Sequence, residues 1–323
     1  MNETAIEKLV VVTRQTALEE LTERFNTREQ ARFYIEHMGA SFDEYEDSHN
    51  TYTRALETLK TSLPRGVRSQ FIERAFLPNF SFGPTDCVVT LGADGLVVNS
   101  AKYLTTQPLV AFNPDARRID GVLVPFAVED ANRVLERVVC GAFRTTEVSM
   151  AQAQLNDGQT LHAVNDLFIG QRTHTSARYA LRLQSARDTP FENQSSSGII
   201  VSTGAGSTGW LRSILEGANK IVAAQNVGTI EENTTIAADG RFAWDADHLV
   251  FNVREPFESK MSSARVVSGR IEANDALEVV SQMPQNGVIF SDGVEEDYLE
   301  FNSGTIAEIR LSDKKLHLVT QVW

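Results

Sequence analysis

The sequence predicts an α/β domain built on a parallel sheet, leading into a β-rich domain. Three observations predict it. Over the first third of the chain, short apolar runs alternate with longer amphipathic ones, the pattern of strands joined by helices. Beyond Cys140 the runs become short and alternating, separated by turn-forming clusters such as NDG and DTPFENQSS, as antiparallel strands require. The length of 323 residues is enough for two domains.

The elements follow in order. KLVVVTR (8–14) reads as a buried strand. Residues 16–39 have helical spacing, with Leu18, Leu21, Phe25, Phe33 and Ile35 as apolar marks and Gly39 as a stop. DSHNTYTRALETLKTSLP (47–64) is a second helix closed by Pro64. VRSQFIE (67–73) is a strand, FLPNFSFGPT a loop, and DCVVTL (86–91) a strand that enters a glycine loop. A helix and the strand PLVAFN (108–113) come next, then an amphipathic helix around EDANRVLERVVC (129–140). The domain boundary is expected in DGVLVPFAV, giving domains 1–125 and 126–323, with the last strands able to return to the first domain. The second domain is read from TTEVSMAQAQL, TLHAVNDLFIG, ARYALRLQS and SGIIVST, and later from HLVFNVRE, ARVVSGRI, ALEVVSQ, GVIFSDG, TIAEIRLS and KLHLVTQVW.

Composition narrows the function. Hydrophobic residues at 42% and charged residues at 23% match a globular protein. No apolar run approaches the roughly 18–20 residues that span a bilayer. The start, MNETAIEKLVVVTRQ, has neither a secretory apolar core nor the Arg-rich look of a transit peptide, so a cytoplasmic location is expected. A formal net charge of −13 repels nucleic acid. The densest basic cluster, Arg172, His174, Arg178, Arg182 and Arg187, is offset by acidic residues elsewhere. Cys87 and Cys140 sit in apolar runs and read as buried thiols, and the six histidines show no metal-ligand spacing.

Two glycine loops carry the chemistry. GIIVSTGAGSTGW (198–210) satisfies G-x-G-x-x-G after a strand and before a helix, and Glu231 and Glu232 lie about 20 residues on, as a dinucleotide fold would have them. The run before those glutamates, NVGTI, is a poor buried strand, and the loop is embedded in β-rich sequence, so an oxidoreductase reading is weak. No Gly-Lys-Ser/Thr follows a spaced glycine, which removes P-loop chemistry. The upstream loop, VVTLGADGLVVNSAKYL, runs from a strand through Gly92-Ala93-Asp94-Gly95 into a helix. Small residues and a helix start suit phosphate, yet Asp94 would repel it unless a metal bridges the two or the carboxylate serves a hydroxyl. The structural alternative is that Asp94 caps the helix or shapes the turn.

With both loops in view, the chain resembles the NAD kinase family, within the larger group that includes diacylglycerol kinases. LGADGL resembles that family's Gly-Gly-Asp-Gly-Thr loop, VNDLFIG its Asn-Glu segment, and STGAGSTGW its Gly-Ser-Thr-Ala-Tyr loop. SSSGIIVSTGAGSTGW, NPDARRIDGVLVPF, FNVREP and FSDG with LEFNSGTIAEI resemble the mitochondrial-type branch. The likeness spans nearly the whole chain and is weakest in the N-terminal helices. It implies a Rossmann-like parallel sheet in an α/β N-terminal domain, a β-rich C-terminal domain, and transfer of the ATP γ-phosphoryl group to the 2′-hydroxyl of the adenosine ribose of NAD.

The resemblance also implies roles. Asp94 is the general base or the Mg-linked orienter of the hydroxyl, in a reaction where positioned base catalysis contributes roughly 10²–10⁴-fold. Gly92, Ala93, Gly95 and Leu96, with Lys102, are the ATP-phosphate candidates. Asn165, Asp166, Arg178, Thr203, Gly204, Gly206, Ser207, Thr208 and Trp210 are the NAD-binding candidates, and Arg254 is a weaker phosphate contact. Mg²⁺ is expected on the ATP phosphates, with Asp94 as a possible ligand, and a homodimer is expected. Three departures stand out: Ala93 for the family's second Gly, Leu96 for its Thr, and Asp166 for its Glu. The lost hydroxyl at Leu96 corresponds to one charge-assisted bond, roughly 1.5–3 kcal/mol. A kinase of the same fold acting on another hydroxyl, or a catalytically weak NAD(P)-binding protein, are the alternatives.

Overall fold

A computed structural model describes residues 5–224 and 240–323. The chain groups into two compact units, one of Met1–Thr146 with His317–Trp323, the other of Glu147–Leu316.

The first unit contains β1 (Lys8–Thr13), α1 (Ala17–Phe25), α2 (Arg28–His37), α3 (Asp43–Thr61), β2 (Arg68–Glu73), β3 (Asp86–Leu91), α4 (Asp94–Ala101), β4 (Pro108–Asn113), β5 (Phe126–Ala127) and α5 (Ala131–Val139). β1, β3 and β4 are apolar almost throughout because both sheet faces are covered. Leu9, Val11, Cys87, Val89 and Phe112 meet Leu59 of α3 and Val134, Leu135 and Val138 of α5, while Val10, Val12 and Val88 are equally buried on the opposite face. β2, β1, β3 and β4 lie side by side and parallel. From β1 the chain goes to one side to make β2 and then to the other to make β3, so strand order reverses at the β1/β3 pair. In open α/β sheets, ligands bind outside the carboxyl ends of the strands at such a reversal. The 92–95 loop leaves β3 at that end.

Three sequence expectations change here. The helix expected over 16–39 is two helices. Asn26 takes the left-handed conformation at φ 64°, and the Thr27 side chain accepts a hydrogen bond from the Gln30 amide to start α2. The chain leaves the first unit after Thr146 rather than after residue 125, because α5 fills that unit's core. Cys87 is buried, but Cys140, just past the end of α5, is exposed.

The second unit contains most of β6 (Phe143–Leu155), then β7 (Thr160–Ala163), β8 (Asp166–Gln171), β9 (Ala177–Leu183), β10 (Glu192–Ser196), β11 (Ile199–Ser202) and α6 (Trp210–Ala224). It continues with β12 (His248–Val253), β13 (Ser268–Glu272), β14 (Leu277–Ser281), β15 (Gly287–Ser291), β16 (Val294–Glu300) and most of β17 (Ile306–Val322). The end of β17 belongs to the first unit, where His317 and Leu318 pair in parallel with β4. One antiparallel sheet runs β13-β12-β11-β8-β15-β16. The other holds β10, β9, β14 and β17, with β6 beside β17 and β7 paired to β6. Alternate residues of both sheets, among them Leu167, Ile169, Val201 and Phe251 from one and Tyr179, Leu181 and Val279 from the other, form a single core. Glu231 and Glu232 lie outside the described residues.

On the outer face of the first of these sheets, the Phe168 ring covers two glycines. A β-carbon would sit 2.7 Å from it at Gly170 and 2.6 Å from it at Gly198, which also has φ +107°. Gly198→Ala is therefore expected to cost about 2 kcal/mol or more, since backbone strain alone is worth about 1–3 kcal/mol. Gly217, inside α6 with open space around its Cα, is the control: Gly217→Ala is expected to add about 0.5–1 kcal/mol. Urea denaturation of both variants beside the parent checks the two signs.

Candidate active site

In the first unit the glycine loop is short and tightly specified. Gly92 donates its amide to Phe112 O at 3.1 Å, which ends the strand pairing of β3 with β4. Ala93 takes φ −85° and ψ 175°, an extended conformation open to any residue, so the missing second glycine distorts nothing. α4 begins at Asp94, and its first turn leaves the amides of Asp94 and Gly95 without an intrahelical acceptor. Nothing lies within 4 Å of a β-carbon built on Gly95, so a ligand can approach this backbone closely. Leu96 differs from its assignment. Its side chain is buried against Gly92, 3.1 Å from the β-carbon position there, and its amide donates to Ala93 O at 2.9 Å. Neither group is left for phosphate.

Asp94 does not cap α4 through its side chain. Its carboxylate turns instead to the segment after β4, where Oδ1 accepts the Leu123 amide at 2.8 Å and Oδ2 the Val122 amide at 3.1 Å. The charge is thus fixed in direction, and each oxygen keeps a second lone pair. Lys102 lies past the far end of α4, about 12 Å along the axis from the loop, and is buried.

In the second unit, the Asn165-Asp166 pair and the 203–208 loop form one cluster. Asp292, at φ 54° in the β15–β16 turn, accepts the amides of Asn165 at 2.7 Å, Val164 at 3.1 Å and Asp166 at 3.3 Å. The Asn165 side chain makes no hydrogen bond among the described residues, so its amide group is available to a ligand. Asp166 Oδ1 accepts a very short bond from Ser202 Oγ. Burial pushes the Asp166 carboxyl up to about 7; the Ser202 bond opposes that shift and the Asp292 charge adds to it.

The glycines of the 203–208 loop answer to the protein itself. A β-carbon on Gly204 would lie 1.9 Å from Ala243 O, and one on Gly206 would lie 2.2 Å from Asn165 O. Two hydroxyls expected to face a ligand are spent inside the loop, since Thr203 Oγ1 donates to Val164 O at 2.5 Å and Ser207 Oγ to Gly204 O at 2.7 Å. Both residues are fully buried. Thr208 is exposed at the end of the loop, with its hydroxyl bonded to Ala205 O at 3.1 Å.

Trp210, 38% exposed, does not pack in the core. Its ring stacks with Phe168 at 6.0 Å, and the Arg254 guanidinium lies 5.6 Å from its centroid. Phe168 in turn stacks with Phe290, which meets Tyr298. Arg178 is separated from this cluster: it is an exposed residue of β9, in the other sheet. Asp292 escaped the sequence reading, although its Asp-Gly dipeptide marks a hairpin turn. The stacked phenylalanines escaped it too, although each occupies an outward position of its strand.

No protein-family model matches the chain. It is 21% identical to the mitochondrial NAD kinase 2 of Rattus norvegicus, covering 94% of this chain and 85% of that protein. The human counterpart is also 21% identical, over 94% and 82%. A shorter stretch is 34% identical to the NAD kinase of Methylococcus capsulatus, over 39% of this chain and 43% of that one. Among solved structures, yeast NADH kinase complexed with NADH aligns with a TM-score of 0.57 and 14% identity, covering 99% of this chain and 85% of that one. The NAD kinase of Archaeoglobus fulgidus in complex with ATP aligns at 0.51 with 16% identity, over 96% and 91%. Three motifs in order, sequence likeness over nearly the full length and a common fold make the chain similar to the NAD kinases.

Proposed function

We propose that this protein is an ATP-dependent NAD kinase. The observation that carries the reading is the Asp94 carboxylate, held by two main-chain amides beside the open backbone of Gly95 at the strand-order reversal. A binding protein gains little from a carboxylate beside phosphate, whereas a phosphoryl transferase uses one to align the attacking hydroxyl. In the reaction, the ribose 2′-oxygen forms a bond to the γ-phosphorus as the bond to the β,γ-bridging oxygen breaks. ADP leaves with that electron pair, and the hydroxyl proton passes to Asp94 or to water.

The amides of Asp94 and Gly95 bind phosphoryl oxygens. The free amide of Asn165 reads an adenine edge through its paired donor and acceptor, and Asp166 accepts ribose hydroxyls. Thr203, Gly204, Gly206 and Ser207 shape the loop rather than touch the ligand. Trp210 and Thr208 offer it the exposed surface. Among the described residues no three His, Cys, Asp or Glu side chains gather into a metal cage. Mg²⁺ carried on the triphosphate needs only one or two carboxylates from protein, and Asp94 would supply one. When bound, Mg²⁺ neutralises charge on the transferring group. No helix among the described residues is long and apolar enough to cross a membrane. A cytoplasmic location and a homodimer complete the reading.

Purified protein with Mg-ATP and NAD should yield NADP, and Asp94→Asn, which can accept only one of the two main-chain amides, should stay folded with a lowered melting temperature and lose at least about a hundredfold in turnover. Near-normal turnover in that variant would take Asp94 out of the chemistry. Asp166 gives a pH signature. Its folded-state value of about 7 lies above the ordinary 3.8, so folding favours the protonated form. Its stabilising contribution is complete below the ordinary carboxylate range and is lost as pH rises through about 7. Asp166→Asn should therefore gain stability over the parent progressively from pH 4 to pH 8, read by melting temperature across that range. NAD affinity should move the other way, rising with pH through about 7 in the parent and staying weak and flat in the variant. Parallel stability curves for parent and variant would contradict the burial argument.

A further inference from the structure

Arg14 is the first residue beyond the carboxyl end of β1, and β1 pairs in parallel with β3, the strand that feeds the glycine loop. A β-carbon on Gly92 would lie 3.8 Å from the Arg14 Nε, so the guanidinium is in contact with that loop. Its position is built. The Arg14 amide donates to the Tyr52 hydroxyl at 3.1 Å, and the guanidinium lies 5.1 Å from the centroid of the same ring. Tyr52 is buried in the face of α3. Nη1 donates to Gln15 O at 3.1 Å. Two residues on, Thr16 closes a capping box with Glu19 and meets His49 Nδ1 at 2.8 Å, which fixes the chain that follows.

What this arginine lacks is a carboxylate. Among the described residues it forms no ion pair, although the chain carries 43 acidic residues against 30 basic ones. Asp94, in the adjoining loop, is taken by the amides of Val122 and Leu123. A half-buried guanidinium held by stacking keeps most of its five donors for something else, and its planar fork matches phosphoryl oxygens in pairs. It stands at the strand-order reversal, where the unsatisfied amides at the start of α4 already favour an anion.

We propose that Arg14 binds the terminal phosphoryl groups of the phosphoryl donor and offsets the charge that spreads over the γ-phosphoryl oxygens during transfer. The inference rests on the kinase reading of the 92–95 loop.

The test compares the parent with Arg14→Gln, which keeps an aliphatic stem over Tyr52, and Arg14→Lys, which keeps the charge without the fork. Calorimetry with magnesium tripolyphosphate reads phosphate affinity without any acceptor. Arg14→Gln should weaken it by about tenfold or more, and Arg14→Lys should restore part of that loss. In steady-state assays kcat/KM for ATP should fall about a hundredfold in Arg14→Gln, while KM for NAD changes less than about twofold. Unchanged tripolyphosphate affinity in a folded Arg14→Gln variant, a parent that does not bind tripolyphosphate, or a loss confined to KM for NAD would each overturn the proposal. A parent that binds tripolyphosphate through Arg14 but makes no NADP would sink the kinase reading alone. A parent that makes NADP with Arg14→Gln its equal would sink this proposal alone.

Discussion

A segment of each candidate site is held by the same physical interaction, a carboxylate bound by main-chain amides from a distant part of the chain. Asp94 takes the amides of Val122 and Leu123, and Asp292 takes those of Val164, Asn165 and Asp166. Bonds of this kind, with one partner charged, are roughly twice as strong as neutral ones. They also satisfy amides that the loops could not pair with themselves, since irregular backbone has no ladder to supply acceptors. The effect in each unit is to fix a site segment to a scaffold element. In the first unit the anchor is the start of α4, and in the second it is the β15–β16 hairpin. Removing either carboxylate would leave two or three main-chain amides without their protein acceptor, so the clamps matter more to site geometry than their number suggests.

Glycine means different things in the two loops. At Gly95 the backbone faces open space, and the absence of a side chain keeps it approachable. At Gly204 and Gly206 the space is already filled by the carbonyls of Ala243 and Asn165. The G-x-G string in the second loop therefore records close packing of three chain segments. The buried hydroxyls of Thr203 and Ser207 tell the same story, because each is used to hold the loop in the shape that the packing requires. Asn165 benefits from this arrangement. Its backbone is committed on both sides, to Asp292 and to Thr203, while its side chain remains uncommitted.

Much of this was legible in the sequence for a simple reason. Strands covered on both faces, such as VVV in β1 and CVV in β3, leave continuous apolar runs, and a glycine loop between a strand and a helix is a local pattern. The break at Asn26-Thr27 was hidden because apolar residues continue on both sides of it, although Asn tolerates a left-handed turn and Thr caps well. The extent of the first unit was hidden because a helix carries no mark of which core it joins, and α5 joins the one behind it in sequence. Asp292 was hidden for the opposite reason: its hairpin explains an Asp-Gly pair completely, while its clamp reaches back across 126 to 128 residues. Leu96 takes its loop position by likeness to the family, and the chain uses its side chain to fill the space beside Gly92.

The charge balance sets a last constraint. A protein with a formal charge of −13 has to accept a polyanionic substrate against its own average field. At physiological salt that field is screened beyond about 8 Å, so distant carboxylates matter less than the groups that touch the ligand. Contact groups at the 92–95 loop are helix-start amides and, on the proposal above, one guanidinium that forms no ion pair among the described residues. This is why the direction of the Asp94 carboxylate has two consequences at once. On the proposed reading, facing Val122 and Leu123 aligns it to serve a hydroxyl; facing Arg14, it would neutralise the cation proposed for the triphosphate, and the loop would bind neither substrate well.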